Sequence, residues 1–486
     1  MESFFSFLTT KKFPSLKTVR SLLGGPVTPF VAIVYGIFFA LCATVFALLI
    51  TLNNKILVTV PARGGSLTEG VIGAPHFINP ILATTPTDQG LVALIYGSLM
   101  KTDENGNVSN SLVKDYAVSP DGRTYTITLL PSLMFDDGKP LTSDDVAFTV
   151  TKLQDNTIST ASGYWQTIAV ETPDANTVVF TLPAADTSFL SHLTFGILPK
   201  HIWGTVTDES FPTAVQNLQP VGAGVMKVST VQYQNDIPAA VVLVRNKYFP
   251  LGKTLLDGLT IKSFANQIAL LDAVNNGDVN FSYDLTPSTV AAQPLASGLT
   301  ASMVMTPQMI AIYRSSADTA LSSLTTVATI NRFIDKNAII ATVQNGYGIP
   351  AGIPSDSLAP STGAPKGFSL AVENNPDMLR AAQTLATQLA EHGVTIAVHA
   401  FDPGTFQKNI TAGNFPLFLA RSNDEIIPQQ YTPVITLYDE CIPYVFDTRT
   451  HLIPPSTFQS PAIEYEDVQH WYTNTDKLWK WFIKQQ

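Results

Sequence analysis

Apolar positions along the chain follow three patterns, and each predicts a different kind of element. From Pro29 to Leu52 the sequence reads PFVAIVYGIFFALCATVFALLITL, a run without a single charged residue. At about 1.5 Å per residue a helix of this length reaches roughly 36 Å, against a bilayer hydrocarbon core of about 30 Å, so the run predicts a membrane-spanning helix. Further on, in TYTITLL, Tyr125, Ile127 and Leu129 alternate with threonines, the pattern of a half-buried strand. Asp121-Gly122 supplies a turn before it. Thr142-Ser143-Asp144-Asp145 predicts a capped helix start for VAFTVTKL, and ETPDANTVVFTL predicts two strands around a turn at Pro173 to Asn176. Asn375-Pro376 opens a third pattern, in which Leu379, Ala382, Leu385, Ala386 and Leu389 share one helical face. Gly393 stops that helix and VTIAV follows as a strand. Alternating helices and strands predict a mixed α/β architecture, and 486 residues are too many for one ordinary core.

Charge orients the apolar helix. Lys11, Lys12, Lys17 and Arg20 precede it against Glu2 alone, which places the N-terminus in the cytoplasm and the bulk of the chain outside. A cleaved signal peptide would have a shorter apolar region, about 7 to 15 residues, followed closely by a small-x-small site. Here the run is longer and continues as TLNNKILVTVPARGG. An uncut anchor is therefore expected. Leu41 precedes Cys42, which argues against a lipoprotein, and with Cys441 as the only other cysteine no disulfide is expected. A net charge of -10 excludes an ordinary nucleic-acid-binding surface. Segments resembling H-E-x-x-H, G-x-S-x-G, G-x-G-x-x-G or a P-loop do not occur, and the seven histidines are scattered without metal-ligand spacing. No catalytic residue, metal or cofactor is assigned.

A family resemblance begins at FDDGKPLTSDDVAFTV, Phe135 to Val150. This segment resembles a phrase of the family 5 extracellular solute-binding proteins, the oligopeptide, dipeptide and nickel group. HFINPIL, LVALIYGSLMKTDENG and SPDGRTYTITLLPSLMF precede it in the family's order, and ILPKHIW and PVGAGVMKV follow it. ALLDAVNNGDVNFSYDLTP, INRFIDKNAIIATVQNGYGIPAGIP, VITLYDECIPYVFD and IEYEDVQHWY continue the match through the second half. The resemblance implies an α/β, two-lobed, periplasmic-binding-protein-like fold of type II, with an extra subdomain in lobe I. It further implies a ligand cleft between hinged lobes, an ABC transporter permease as partner and a small peptide or peptide-like ligand. Combined with the anchor, it divides the chain into a cytoplasmic tail (1–28), transmembrane anchor (29–52), tether (53–65), lobe I with its subdomain (66–265), lobe II (266–445) and a C-terminal return to lobe I (446–486).

One departure bears on ligand choice. Only 34 residues separate the strand ending at Val398 from the strand starting near Pro433, where the family usually carries a longer insertion with an amine-binding Asp. Lobe II is thus shortened, and Asp424 or Glu425 stands where a substitute for that Asp would fall, with Asp424 as the ligand-binding candidate. Tyr164 and Trp165, after the polar loop in SGYW, are suited to stacking on a ligand. Tyr313 and Arg314 fall where a family strand enters the cleft, and Arg314 carries the planar fork that pairs with carboxylates. The expected activity is capture and delivery of peptide-like ligands rather than catalysis. The competing expectation is a membrane-tethered sensor or interaction protein on the same fold, with altered or lost ligand binding.

Overall fold

The computed structural model describes residues 29–479 apart from 253, 317, 353–365 and 423–426, and within the first helix it describes the side chains of 36–48 and 51. The apolar run is helical from Pro29 to Ile56. Its described side chains are uncharged, mostly apolar and exposed, with Ile37, Phe39 and Phe46 each more than half open to solvent. Among the described residues, no helix is long and apolar enough to cross a membrane. The segment expected as a tether is ordered differently. Its first residues complete the helix, and Leu57–Ala62 forms a strand paired with Asn474–Trp479. LVTV is rich in β-branched residues, which prefer a pleated strand to a loose linker.

Residues Ala62–Asn474 form a separate compact unit. An eleven-stranded sheet runs through it. At one end Thr395–Phe401 and Gly367–Glu373 lie parallel, joined by the helix Pro376–Glu391. Asn375 caps that helix by accepting from the Asp377 N–H; of its predicted face Ala382, Leu385 and Leu389 are buried, together with Met378 and Ala381, while Leu379 and Ala386 are half-buried. At the other end Ser66–Ile72 runs parallel to Gly258–Phe264, and Ile237–Arg245 and Met226–Gln234 extend the sheet antiparallel. The 34-residue stretch that read as a shortened insertion holds the helix Pro403–Thr411 and the strand Leu417–Arg421, which enters the same sheet.

Two 16-residue strands, Leu299–Arg314 and Thr432–Asp447, run antiparallel through the middle. At about 3.4 Å per residue each spans roughly 54 Å, long enough to belong to both halves. Separate cores lie on either side of them. One gathers Leu67, Leu94, Phe135, Phe180 and Trp471, and the other gathers Ile312, Leu370, Leu385 and Tyr438. A second sheet, antiparallel and four-stranded, holds Val113–Val118, Thr124–Leu129, Thr177–Thr181 and Ala169–Asp174. Tyr125, Ile127 and Leu129 are buried on its inner face, in the alternation their sequence predicts. The chain is an α/β fold whose two main cores are joined by the pair of long strands.

Candidate functional site

The two crossing strands lose their regular register between Met305 and Met309. Pro307 lies in that interval and has no N–H to give a ladder, so the strand bulges where a proline can be tolerated. Thr306 keeps a tie to the partner strand by donating from Oγ1 to the Glu440 carbonyl, 3.0 Å away. Beside the first core, the short strand Phe281–Ser282 ends after pairing with the neighbouring strands, and Tyr283-Asp284 follows it. The Asp284 carboxylate accepts the Ile72 N–H at 2.7 Å, and the Asp284 N–H donates to Ser282 Oγ at 3.1 Å, so the carboxylate is tied to the end of a central strand.

These segments border a solvent-open cavity of about 560 Å³, whose other walls include Gln344, Arg421 and the stretch Phe458 to Pro461. That volume falls among ordinary small-ligand sites, roughly 300 to 1,000 Å³. Its charges are mostly satisfied within the protein. Arg421 Nη2 lies 2.8 Å from Glu440 Oε1, which also accepts from Gln344 Nε2 at 3.1 Å. Asp377 pairs with Arg380. Burial pushes the Asp284 carboxyl up to about 6, opposed by the Ile72 N–H bond. Tyr283 packs its ring 4.7 Å from that of Phe458, and Cys441 is buried in the wall.

Beneath Asp284 lies a dry acidic cluster. Glu69, from the strand Ser66–Ile72, and Glu464, from the C-terminal segment, are both fully buried. Tyr465 donates its hydroxyl to Glu69 Oε2 at 2.7 Å. Loss of hydration pushes the Glu69 carboxyl up to about 8, and burial together with the Glu69 charge holds Glu464 well above the usual range. Two carboxyls in such a place cannot both be ionised at neutral pH. A second cavity, of about 540 Å³, lies within the first half, beside Tyr96, Tyr465 and the Lys101–Glu466 pair. Among the described residues, no group of three or more His, Cys, Asp and Glu is placed to hold a metal ion.

Four of the residues nominated from sequence lie away from the 560 Å³ cavity. Trp165 is 4% exposed and packs edge-on against Phe195 and Phe189 in the first core. Tyr164 is half-buried, donates to Asp186 Oδ2 at 2.7 Å and stacks on His192 at 4.0 Å. Tyr313 is also 4% exposed and stacks on Phe418, and Arg314 donates from Nη1 to the Leu321 carbonyl at 2.9 Å. The structure keeps Tyr164 with Trp165 and Tyr313 with Arg314, but none of the four borders the 560 Å³ cavity. Asp424 lies outside the described residues. The cavity walls instead come from Tyr283, Asp284, Gln344, Arg421 and Glu440, which sequence reasoning passed over. Their one local signal is a proline inside a strand-like run, Met305 to Met309, which marks a bulge.

Comparison with known proteins places this geometry. The family model for bacterial extracellular solute-binding proteins, family 5 (middle), matches residues 107–368. The oligopeptide-binding protein AppA of Bacillus subtilis is 31% identical over 226 residues, covering 46% of this chain and 41% of that protein. The chain spans less than half the length of the first curated relatives it matches, 41% and 46%. Among solved structures, the ABC transporter substrate-binding protein CtaP of Listeria monocytogenes superposes with a TM-score of 0.67 at 23% identity, covering 85% of this chain and 100% of that one. The structure of Bacillus subtilis AppA in complex with a nonapeptide matches with a TM-score of 0.57 at 18% identity, over 85% of this chain and 99% of that one. At these identities the solved structures establish the shared fold, and the family match covers more than half of the sequence. This chain belongs to the bacterial extracellular solute-binding proteins of family 5.

Proposed function

We propose that this chain captures short peptides or peptide-like solutes outside the cytoplasm and hands them to an ABC-type permease. The observation that carries the reading is the cavity of about 560 Å³ at the crossing strands, lined from both halves of a family 5 chain. A ligand touching both walls favours the closed arrangement of two hinged lobes over the open one, and that difference is what a permease can read. The work is binding and release, and no covalent chemistry is assigned. In this reading lobe I takes residues 66–265, lobe II 266–445, and the remainder returns to lobe I. Trp165 and Tyr313 serve packing, as their burial supports, and Asp424, three residues past the cavity residue Arg421, is a ligand contact.

We further propose that the run Pro29–Leu52 anchors the protein in the cell membrane with its N-terminus in the cytoplasm. The uncharged sequence and the exposed apolar side chains of residues 36–48 support this. The function is tested by thermal unfolding of the full-length chain in detergent with pools of short peptides. A ligand at a hundred times its Kd adds about 2.7 kcal/mol to the native state, which raises the unfolding temperature. A well-folded protein that no pool stabilises would refute peptide capture.

A further inference from the structure

One wall of the cavity is held in place by a residue that does not border it. Glu104 sits in the turn between the short antiparallel strands Met100–Thr102 and Val108–Asn110. Asp103 stiffens that turn, because its Oδ1 accepts the Asn105 and Asn107 N–H groups at 2.9 and 2.8 Å. Beside the turn runs the C-terminal stretch 453–461, which has no helix or strand of its own beyond one isolated bridge. Glu104 Oε2 accepts both the N–H and the hydroxyl of Ser456, each at 2.8 Å. The Glu104 carbonyl accepts from Thr457 Oγ1 at 2.6 Å and from Gln459 Nε2 at 3.0 Å.

The same stretch meets one of the crossing strands. The Met305 N–H donates to the Ser456 carbonyl at 3.2 Å, and the Phe458 N–H donates to the Met305 carbonyl at 2.6 Å, which makes a parallel bridge at Thr457. Met305 is the last residue in register before the ladder is interrupted at Pro307. Immediately beyond these contacts, residues 306–308 of the strand and 458–461 of the stretch line the cavity. Resting on the peptide-capture reading, we infer that Glu104 is a positioning residue for ligand capture, clamping the C-terminal stretch onto Met305 and so setting the cavity wall formed by residues 458–461.

Three features give the clamp its leverage. Pro454, Pro455 and Pro461 have no N–H to donate, so backbone bonds hold the stretch at few points and side-chain bonds decide where it lies. Bonds to a charged acceptor are the stronger kind, and every hydrogen bond recorded for the Glu104 carboxylate goes to Ser456. The wall also carries the position onward, since the Phe458 ring packs 4.7 Å from that of Tyr283. Further along, Tyr465 on Glu69 and Glu466 on Lys101 hold the same segment. Loss of the clamp therefore loosens the wall without detaching the C-terminal segment. A wall in place for only part of the time lowers the apparent affinity by that fraction.

The test uses the full-length chain in detergent, with a random tetrapeptide pool as the probe and affinity followed by thermal shift. Glu104→Ala removes the carboxylate bonds, whereas Glu104→Gln keeps an acceptor oxygen at the same reach. Affinity should fall about tenfold in Glu104→Ala and return to within about threefold of the unaltered chain in Glu104→Gln. Without ligand, the amides of Met305 and Phe458 should exchange hydrogen about tenfold faster in Glu104→Ala, and a saturating pool should slow them again. Thr457→Val removes the donor to the Glu104 carbonyl at similar volume, and it should weaken binding about threefold. Unchanged affinity in Glu104→Ala, a loss that Glu104→Gln does not restore, or unchanged exchange at those two amides overturns the inference and leaves peptide capture standing. If Glu104→Ala does not fold, unchanged affinity in Thr457→Val overturns it in the same way. If the unaltered chain binds no peptide, peptide capture and this inference fall together.

Discussion

A carboxyl removed from water prefers its neutral form, and Glu69 and Glu464 give that rule a measurable consequence. Glu69 is pushed from 4.5 up to about 8 by burial, in spite of the Tyr465 hydroxyl it accepts. Its folded value lies above its unfolded one, so its contribution to stability is fully present below about pH 4.5 and is lost as pH rises toward 8. Over that window the folded chain holds a proton that the unfolded chain has released, which costs at most about 1.4 kcal/mol per pH unit for one group. Glu69→Gln keeps an acceptor for Tyr465 and removes the titration. Urea unfolding should therefore show a smaller loss of stability between pH 5 and pH 8 in the Gln variant, which becomes the more stable of the two at pH 8; parallel pH profiles for the two proteins would contradict this. Neither glutamate announces itself in sequence. SLTEGVI reads as a strand with one polar position, and only its neighbours in space make that position dry. The aromatics fail to declare themselves for a related reason. Trp165 beside a polar loop has one sequence context whether it faces a cleft or, as here, fills a core against Phe189 and Phe195.

Among elements, the family phrase FDDGKPLTSDDV proves to be joinery. Asp145 accepts from the Thr142 N–H at 2.8 Å, closing the start of helix Ser143–Gln154, and from the Lys200 N–H at 2.9 Å. Thr149 Oγ1 accepts from the Leu198 N–H at 2.9 Å, and His201 Nε2 meets Asp137 Oδ2 at 2.8 Å. Two motifs some fifty residues apart are thereby locked together. Hydrogen bonds to a charged acceptor contribute about 1.5 to 3 kcal/mol, and Asp145→Ala leaves two N–H groups without theirs. Denaturant unfolding of Asp145→Ala should show a loss of about 2 to 4 kcal/mol; a loss under 1 kcal/mol would mean that water replaces the carboxylate. The cap was legible because it is local. Its second partner, Lys200, was not. The same contrast holds for the glycines of PVGAGVMKV, whose sequence context gives only their place in the family's order. Packing explains them better, since a Cβ on Gly222 would come within 2.0 Å of the Ile95 carbonyl oxygen.

For the whole molecule, the crossing strands matter most. Each passes from one core to the other, so the halves are joined by continuous backbone, with the ladder interrupted beside Pro307. An interrupted ladder bends more easily than an intact one, and here the interruption borders the cavity. The proposed anchor is tested at this scale as well. The full-length chain should sediment with membranes and resist alkaline carbonate, and protease added to intact cells with a permeable envelope should digest the region beyond residue 57. Recovery of the full-length chain in the carbonate supernatant would rule the anchor out.

Local chemistry is what the sequence by itself determined: the apolar helical run, the alternating strand Thr124–Leu129, the capped helices at Thr142 and Asn375, and an order of motifs sufficient for the family. Each depends on residues a few positions apart, where period and propensity act directly. Which side chains share a cavity was decided by the tertiary structure. Asp284, Gln344, Arg421 and Glu440 come from four distant segments that meet only because two long strands carry the sheet through both lobes. Burial and charge at such a meeting point depend on everything around it, and no window of sequence contains that information.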